Sequence, residues 1–314
     1  MRAVLFPGQG SQYVGMGSDF YEKFDSVKKN FEIADKTLGF SLSKIILDGP
    51  EEDLKLTQNT QPAIMIVSVS IFNILNNNFN YNLNNSKFFA GHSLGEYTAL
   101  VCAGSLSLER AVYLLHERGK AMQDAAPSGE GAMIAVLGMP LKDVEEEIKS
   151  LSEKGLCEIA NDNSDGQVVV SGAKTAINVL NENLKKKRKK GIILPVSAPF
   201  HCSMMKSASI TMKNKIEKTS FLKLQPGIIS NVTAQEETDV NKIKSLLIDQ
   251  ITSRVRWRES VNYMIKRGIT DFLEIGPGKV LSGLVKKINK DVKISNLNSI
   301  NDINLWLVLK TKKF

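Results

Sequence analysis

Cysteine is scarce in this chain of 314 residues: Cys102, Cys157 and Cys202 are odd in number, widely spaced and never in a C-x-x-C pair. That spacing excludes a disulfide framework and a cysteine zinc site, and it points to a reducing compartment. Long apolar runs are missing too. The longest, residues 63–75, is about 13 residues and holds Ser and Asn, short of the roughly 20 that span a bilayer. It reads as a buried helix with Pro62 near its first turn, and no membrane association is expected. No basic segment with an apolar stretch precedes residues 2–6, which already read as a core strand entering a glycine turn, so a cytoplasmic or trimmed chain is expected. Acidic residues are in deficit, 33 against 41 Lys and Arg, for a formal charge of +8. The excess is uneven: Lys185, Lys186, Lys187, Arg188, Lys189 and Lys190 are consecutive, and more Lys, including Lys286 and Lys287, lies towards the C-terminus. Such a surface favours an acidic partner, with a plain solvated charge run as the alternative. The run has no interleaved aromatics and no helix-turn-helix, zinc-finger or RNA-binding pattern accompanies it, so nucleic acid is not the expected partner.

What is present has the rhythm of an α/β protein. A strand at residues 3–6 breaks at Pro7-Gly8-Gln9-Gly10, and a second apolar strand ends at Ala90. Gly91-His92-Ser93-Leu94-Gly95 then leads into a helix over 96–103, and another helix begins after Ser107, a good N-cap, and runs to about residue 125. From Gly131 the pattern becomes strand to 138, helix 141–151, strands 157–160 and 167–170, helix 174–187 and strand 192–196. That β-α-β-β-α-β order is the split ferredoxin-like unit. It predicts an α/β fold in which residues 128–197 form a small inserted domain and residues 1–127 with 198–314 form the large one. A strand near Ile228, a helix over 260–267, a strand over 271–275 and a last helix to about residue 288 complete the large domain. The Asn-rich stretch 76–85 reads as a surface loop.

The G-x-S-x-G run between a strand and a helix is the context of a nucleophile elbow, whose glycines permit a strained turn that lifts a serine hydroxyl clear of the sheet. At a helix N-terminus the Leu94 N–H would face a developing oxyanion, and the flexible turn around Gln9 could bring a second N–H to the same place. A serine hydroxyl needs a base, and the candidates are the three histidines. His92 adjoins Ser93 and should face the other side of the strand; His116 lies in mid-helix, where packing is the ordinary role. His201, after Pro199 in a loop, is the better placed base. Ala111, Leu115, Arg118 and Met122 share one helical stripe, which turns Arg118 inward; a buried cation there needs an internal carboxylate or an anionic ligand.

Taken in order, Phe6-Pro7-Gly8-Gln9-Gly10-Ser11-Gln12, Thr60-Gln61-Pro62-Ala63, Gly91-His92-Ser93-Leu94-Gly95-Glu96-Tyr97, Arg118-Gly119-Lys120-Ala121-Met122-Gln123, Pro199-Phe200-His201-Cys202 and Glu274-Ile275-Gly276-Pro277-Gly278 resemble the bacterial-type malonyl-CoA:acyl-carrier-protein transacylases, in register from residue 3 to about 288. The resemblance implies an α/β-hydrolase-like large domain with the ferredoxin-like insert. It implies Ser93 as the acyl-accepting nucleophile, His201 as base, Arg118 as the partner of the malonyl carboxylate, and Gln9 with Leu94 as oxyanion-hole donors. By the same resemblance the main-chain carbonyl of Gln250 orients the histidine, and Asn161 and Asn163, with Met122 from the stripe above, line the cleft. The implied reaction moves malonyl from malonyl-CoA to the phosphopantetheine thiol of an acyl carrier protein in fatty-acid synthesis, with no metal, nucleotide or redox cofactor. The basic run, with Lys286 and Lys287, is a candidate dock for that acidic carrier, and a monomer is expected. A serine hydrolase or thioesterase of the same fold would use the same elbow and base, but has no general need for the inward Arg118. A non-catalytic carrier-binding module would not need Ser93, His201 and Arg118 together.

Overall fold

The computed structural model describes residues 1–127, 129–196 and 198–311. Residues 128 and 197, where the expected insert begins and ends, and the last three residues of the expected large domain lie outside the described residues.

Ten strands occur among the described residues: β1 (Arg2–Phe6), β2 (Phe88–Gly91), β3 (Gly131–Leu137), β4 (Cys157–Ser164), β5 (Gln167–Ala173), β6 (Lys190–Ile193), β7 (Gly227–Ile229), β8 (Glu236–Glu237), β9 (Asp271–Ile275) and β10 (Lys293–Leu297). They form two sheets, a six-stranded one in the order β10-β9-β1-β2-β7-β8 and a four-stranded one in the order β4-β5-β3-β6. The larger sheet is parallel apart from its β7–β8 edge. Its central strand is apolar on both faces, as a parallel strand covered by helices must be, and Ala3, Val4, Leu5 and Phe6 are wholly buried. Phe6 meets Phe89 edge-on at 5.8 Å, and Phe89 meets Phe72 of the helix Thr57–Asn77 at 5.5 Å.

That helix differs from expectation at its start. It begins at Thr57, so Pro62 is interior, and the amide it lacks would have served the Gln58 carbonyl. His116 takes over: its Nδ1 lies 3.1 Å from Gln58 O, and since a carbonyl only accepts, Nδ1 carries the proton. The helix Leu108–Asp124 that carries His116 packs close by at Gly119, where an added Cβ would sit 2.5 Å from the Gln58 Cα.

The smaller sheet is antiparallel throughout. One face carries the helices Leu141–Lys149 and Lys174–Lys186 and has its own core, with Ile134, Val136, Val168, Val170, Ile177 and Leu180 among its members. Met133, Ala135, Ala160 and Val169 on the other face join the main core. β4 also runs beyond the expected residue 160 to Ser164. The extension is polar and therefore unreadable as a core strand, yet Asp162 and Ser164 are fully buried, and Asp162 forms a seam with the segment that enters the helix Trp257–Lys266. Asp162 N donates to Val255 O at 3.0 Å, Val255 N donates to Ala160 O at 2.8 Å, and Arg258 grips the Asp162 carboxylate at 2.9 Å. β6 starts and ends earlier than the expected 192–196, because residues 194–196 leave the sheet to line a cavity. Beyond the expected last helix, which is observed as Val280–Ile288, the chain adds β10 and the helix Ile300–Thr311. No helix among the described residues is long and apolar enough to cross a membrane.

Candidate active site

Strand β2 delivers the chain to the site and the helix Gly95–Cys102 carries it away. Between them Ser93 is held at φ 54°, a left-handed conformation that costs a non-glycine residue on the order of 1–3 kcal/mol. The flanking glycines are compulsory on steric grounds: a Cβ on Gly91 would fall 1.9 Å from the Gly95 carbonyl carbon, and one on Gly95 would fall 2.3 Å from the Phe6 carbonyl oxygen. Asn231 clips the strained turn from behind. Its Oδ1 accepts from Ser93 N at 2.6 Å, and its Nδ2 donates to Gly91 O at 2.7 Å.

His201, also at positive φ (60°), is buried with its Nε2 2.8 Å from Ser93 Oγ. Its Nδ1 lies 2.9 Å from the Gln250 main-chain oxygen. That oxygen can only accept, so the proton sits on Nδ1 and a bare Nε2 faces the serine, whose hydroxyl donates to it. Burial, and next the positive charge of Arg118, push the imidazole down to about 3, so the ring is neutral over the physiological range.

Arg118 is fully buried on the helix Leu108–Asp124. Its Nη1 donates to Gln61 Oε1 at 2.8 Å, and its Nη2 to Gln250 Oε1 at 2.8 Å and to Ser93 Oγ at 3.1 Å. Nε has no partner among the described residues, and the guanidinium carbon lies 5.7 Å from the centre of the Tyr97 ring. These hydrogen-bond partners are all neutral, so a guanidinium that should be paired is solvated only by amides and a hydroxyl. Burial lowers its pKa from the ordinary arginine value.

A cavity of about 260 Å³ opens over these groups, lined by Gln9, Gln61, Ser93, Arg118, Met122, Met133, Asn161, Phe200 and His201. Of the residues singled out from sequence, the fold thus gathers Ser93, His201, Arg118, Gln9, Met122 and Asn161 around one cavity and brings in the Gln250 carbonyl. Leu94 is buried beside Ser93. The main-chain N–H groups of Gln9 and Leu94 have no protein acceptor among the described residues. Asn163 stands one step back, its Oδ1 2.9 Å from His92 Nε2. His92 departs from expectation. The left-handed turn at Ser93 breaks the strand's alternation, so both side chains line the same cavity. Residues missed around the site include Gln61 and Glu96, which lie inside the motif runs quoted above, and Asn231, which no local pattern marks.

The basic run does not reach this cavity. Lys185 pairs with Glu182 at 2.7 Å, Lys187 with Glu147, and Lys189 Nζ donates to Gly138 O at 3.2 Å. Lys287 Nζ reaches Gln167 at 2.9 Å; since Gly138 N bonds Gly166 O, Lys189 and Lys287 occupy one rim of the smaller sheet. Lys286 turns back to Val292 O at 2.7 Å. Among the described residues no group of three or more His, Cys, Asp or Glu could hold a metal ion.

A neutral imidazole against a serine hydroxyl, two free N–H groups and a buried cation make a site suited to acyl transfer onto oxygen, with preference for an acyl group bearing a negative charge. Comparison with known proteins agrees with that chemistry. The family model for the acyl transferase domain matches residues 4–302. The malonyl CoA-acyl carrier protein transacylase of Bacillus subtilis (strain 168) is 43% identical over 305 residues, covering 96% of this chain and 95% of its own. The crystal structure of the acyl-carrier-protein-S-malonyltransferase from Bartonella henselae superposes with a TM-score of 0.95 at 43% identity over 98% of both chains. A holo type II PKS acyl-carrier protein in complex with its malonyl-transacylase gives a TM-score of 0.93 at 36% identity, covering 98% of this chain and 99% of that one. The chain belongs to the acyl transferase family, among the malonyl CoA-acyl carrier protein transacylases.

Proposed function

We propose that this chain moves a malonyl group from malonyl-CoA to the phosphopantetheine thiol of an acyl carrier protein, by way of a malonyl ester on Ser93. One observation carries the reading: Ser93 Oγ lies between His201 Nε2 at 2.8 Å and Arg118 Nη2 at 3.1 Å, so base and cation flank one hydroxyl. The free carboxylate of malonyl supplies the anion that Arg118 lacks, and a bidentate guanidinium–carboxylate pair fixes the thioester carbon over the serine.

In the first half-reaction His201 Nε2 takes the hydroxyl proton as Oγ attacks the thioester carbonyl. The N–H groups of Gln9 and Leu94 receive the oxyanion. On collapse the C–S bond breaks, coenzyme A leaves as the thiol with the proton returned from His201, and malonyl stays on Oγ. The carrier's thiol then enters the vacated place, gives its proton to His201, and attacks the ester. The Ser93 oxygen leaves with that proton, and the kinetics are ping-pong. The Gln250 carbonyl holds the imidazole in the required tautomer through both halves, and Met122, Asn161 and Asn163 shape or back the cleft.

The larger unit, residues 1–127 and 198–314, we take to be α/β-hydrolase-like, and residues 128–197 a ferredoxin-like insert; the antiparallel order β4-β5-β3-β6 and the β-α-β-β-α-β sequence of elements support the second assignment. The same reading has a cytoplasmic monomer serving fatty-acid synthesis, whose basic rim at Lys185, Lys186, Lys187, Arg188, Lys189, Lys190, Lys286 and Lys287 receives the acidic carrier.

Incubation with malonyl-CoA followed by intact-mass measurement should find a malonyl adduct that Ser93→Ala abolishes, that accumulates more slowly in His201→Ala, and that is discharged by holo carrier protein. An adduct surviving in Ser93→Ala, or malonyl lost to water as fast as to the carrier, contradicts the proposal.

A further inference from the structure

Beneath the elbow lies a buried carboxylate that the reaction above leaves without a role. Glu96 is 1% exposed, and its Oε2 accepts from Asn231 N at 3.0 Å and from Gln250 Nε2 at 2.7 Å. The Gln250 amide is thereby given one orientation. Its Nε2 end faces Glu96 and the Ser93 carbonyl, at 3.1 Å from the latter, while its Oε1 end accepts from Arg118 Nη2 at 2.8 Å. The two ends of a glutamine amide are nearly the same shape but opposite in hydrogen-bonding sense, and a guanidinium has donors only. A flipped amide would therefore set N–H against N–H and leave Arg118 with Gln61 as its remaining amide acceptor. The acceptors at Glu96 and the Ser93 carbonyl together decide which end of Gln250 Arg118 meets, and Glu96 is the closer of the two.

We propose that Glu96 is a positioning residue for substrate discrimination: through the Gln250 amide it fixes the Arg118 fork that receives the substrate's free carboxylate. The proposal rests on the assignment of Arg118 made above. Glu96 meets none of the reacting atoms, and its line to the base is indirect, because His201 is held by the main chain of Gln250 and not by its amide. Burial lifts the Glu96 carboxyl to about 7, and either protonation state serves, since the proton can reside on Oε1 while Oε2 accepts.

The test compares Glu96→Met, Glu96→Gln and Gln250→Met, with acylation of Ser93 by malonyl-CoA and by acetyl-CoA followed by intact mass. Glu96→Met should raise KM for malonyl-CoA on the order of tenfold, with kcat and the acetyl reaction moving far less. Glu96→Gln, whose amide oxygen can replace Oε2, should restore KM to near the parent value. Gln250→Met keeps the main-chain carbonyl but removes the bridge, so it should show the same malonyl-selective rise, and it carries the test should Glu96→Met fail to fold. Equal losses for malonyl and acetyl, an unchanged KM in Gln250→Met, or a loss in Glu96→Gln as large as in Glu96→Met would overturn the assignment. Absence of any malonyl adduct on the unaltered protein would overturn the functional reading instead.

Discussion

At the scale of single residues, the site depends on two groups held away from their usual charge balance. Arg118 is a cation among neutral acceptors, so its truncation should be felt according to the charge of the acyl group. Arg118→Ala is expected to cost malonyl transfer about 2–4 kcal/mol while acetyl transfer loses little, as measured by kcat/KM for the two thioesters; equal losses would make the arginine structural. Glu96 is the other. Its carboxyl is raised from an ordinary 4.5 to about 7, chiefly by burial, so between those values the folded protein binds more protons than the unfolded chain. Stability from this group is thus present at low pH and lost as pH rises through about 7. His201, depressed to about 3, has the opposite slope, but it is common to parent and variant and cancels in the comparison. The difference in unfolding free energy between Glu96→Gln and the parent should therefore move in the variant's favour from pH 5 to pH 8 in urea titrations; a constant difference would show that Glu96 does not titrate there.

At the scale of elements, the turn at Ser93 is enforced by close approach. Gly95→Ala would drive a methyl into the Phe6 carbonyl, 2.3 Å from the ideal Cβ position, and should cost about 1–3 kcal/mol by thermal unfolding, with loss of Ser93 acylation at temperatures where the fold survives. This element was legible in advance because its signature is local: glycines flank the serine, a strand precedes and a helix follows. The same holds for the helix capped by Ser107, whose Oγ accepts from Arg110 N at 3.3 Å. Elements defined by distant partners were not legible. The polar end of β4 looks like loop until Val255 and Arg258 are beside it, and the true start of the helix Thr57–Asn77 is hidden by a proline whose missing hydrogen bond His116 makes good. Asn231 is silent for the same reason, since its value lies in reaching Ser93 across 138 positions of sequence. The stripe that turned Arg118 inward was readable from helical spacing, but its neutral company of Gln61 and Gln250 was not.

For the whole molecule, the charge at one rim of the smaller sheet stands apart from the chemistry, and the two half-reactions should separate accordingly. Replacing Lys187, Arg188 and Lys189 together by Glu should raise KM for an acidic carrier several-fold and flatten its salt dependence, while acylation by malonyl-CoA changes much less, because complementary charge acts mainly on encounter and is screened beyond about 8 Å at physiological ionic strength. Carrier titrations at two salt concentrations decide it; an unchanged KM and slope would leave the run a solvated face.

The seam along β4 has a different consequence. Gln250, whose carbonyl locks the tautomer of His201, and Val255 and Arg258, which stitch the large unit to β4, lie within nine consecutive residues. Alignment of the base and seating of the smaller sheet are thus read out by one short segment, which leaves the helix Val240–Asp249 at Gln250 and enters the first turn of the helix Trp257–Lys266 at Arg258. A molecule whose seam had slipped would keep its helices, its strained serine and most of its core, yet it would present a wandering imidazole. Under mild denaturant, loss of activity should then run ahead of loss of structure, which makes turnover a gauge of how firmly the two sheets sit together.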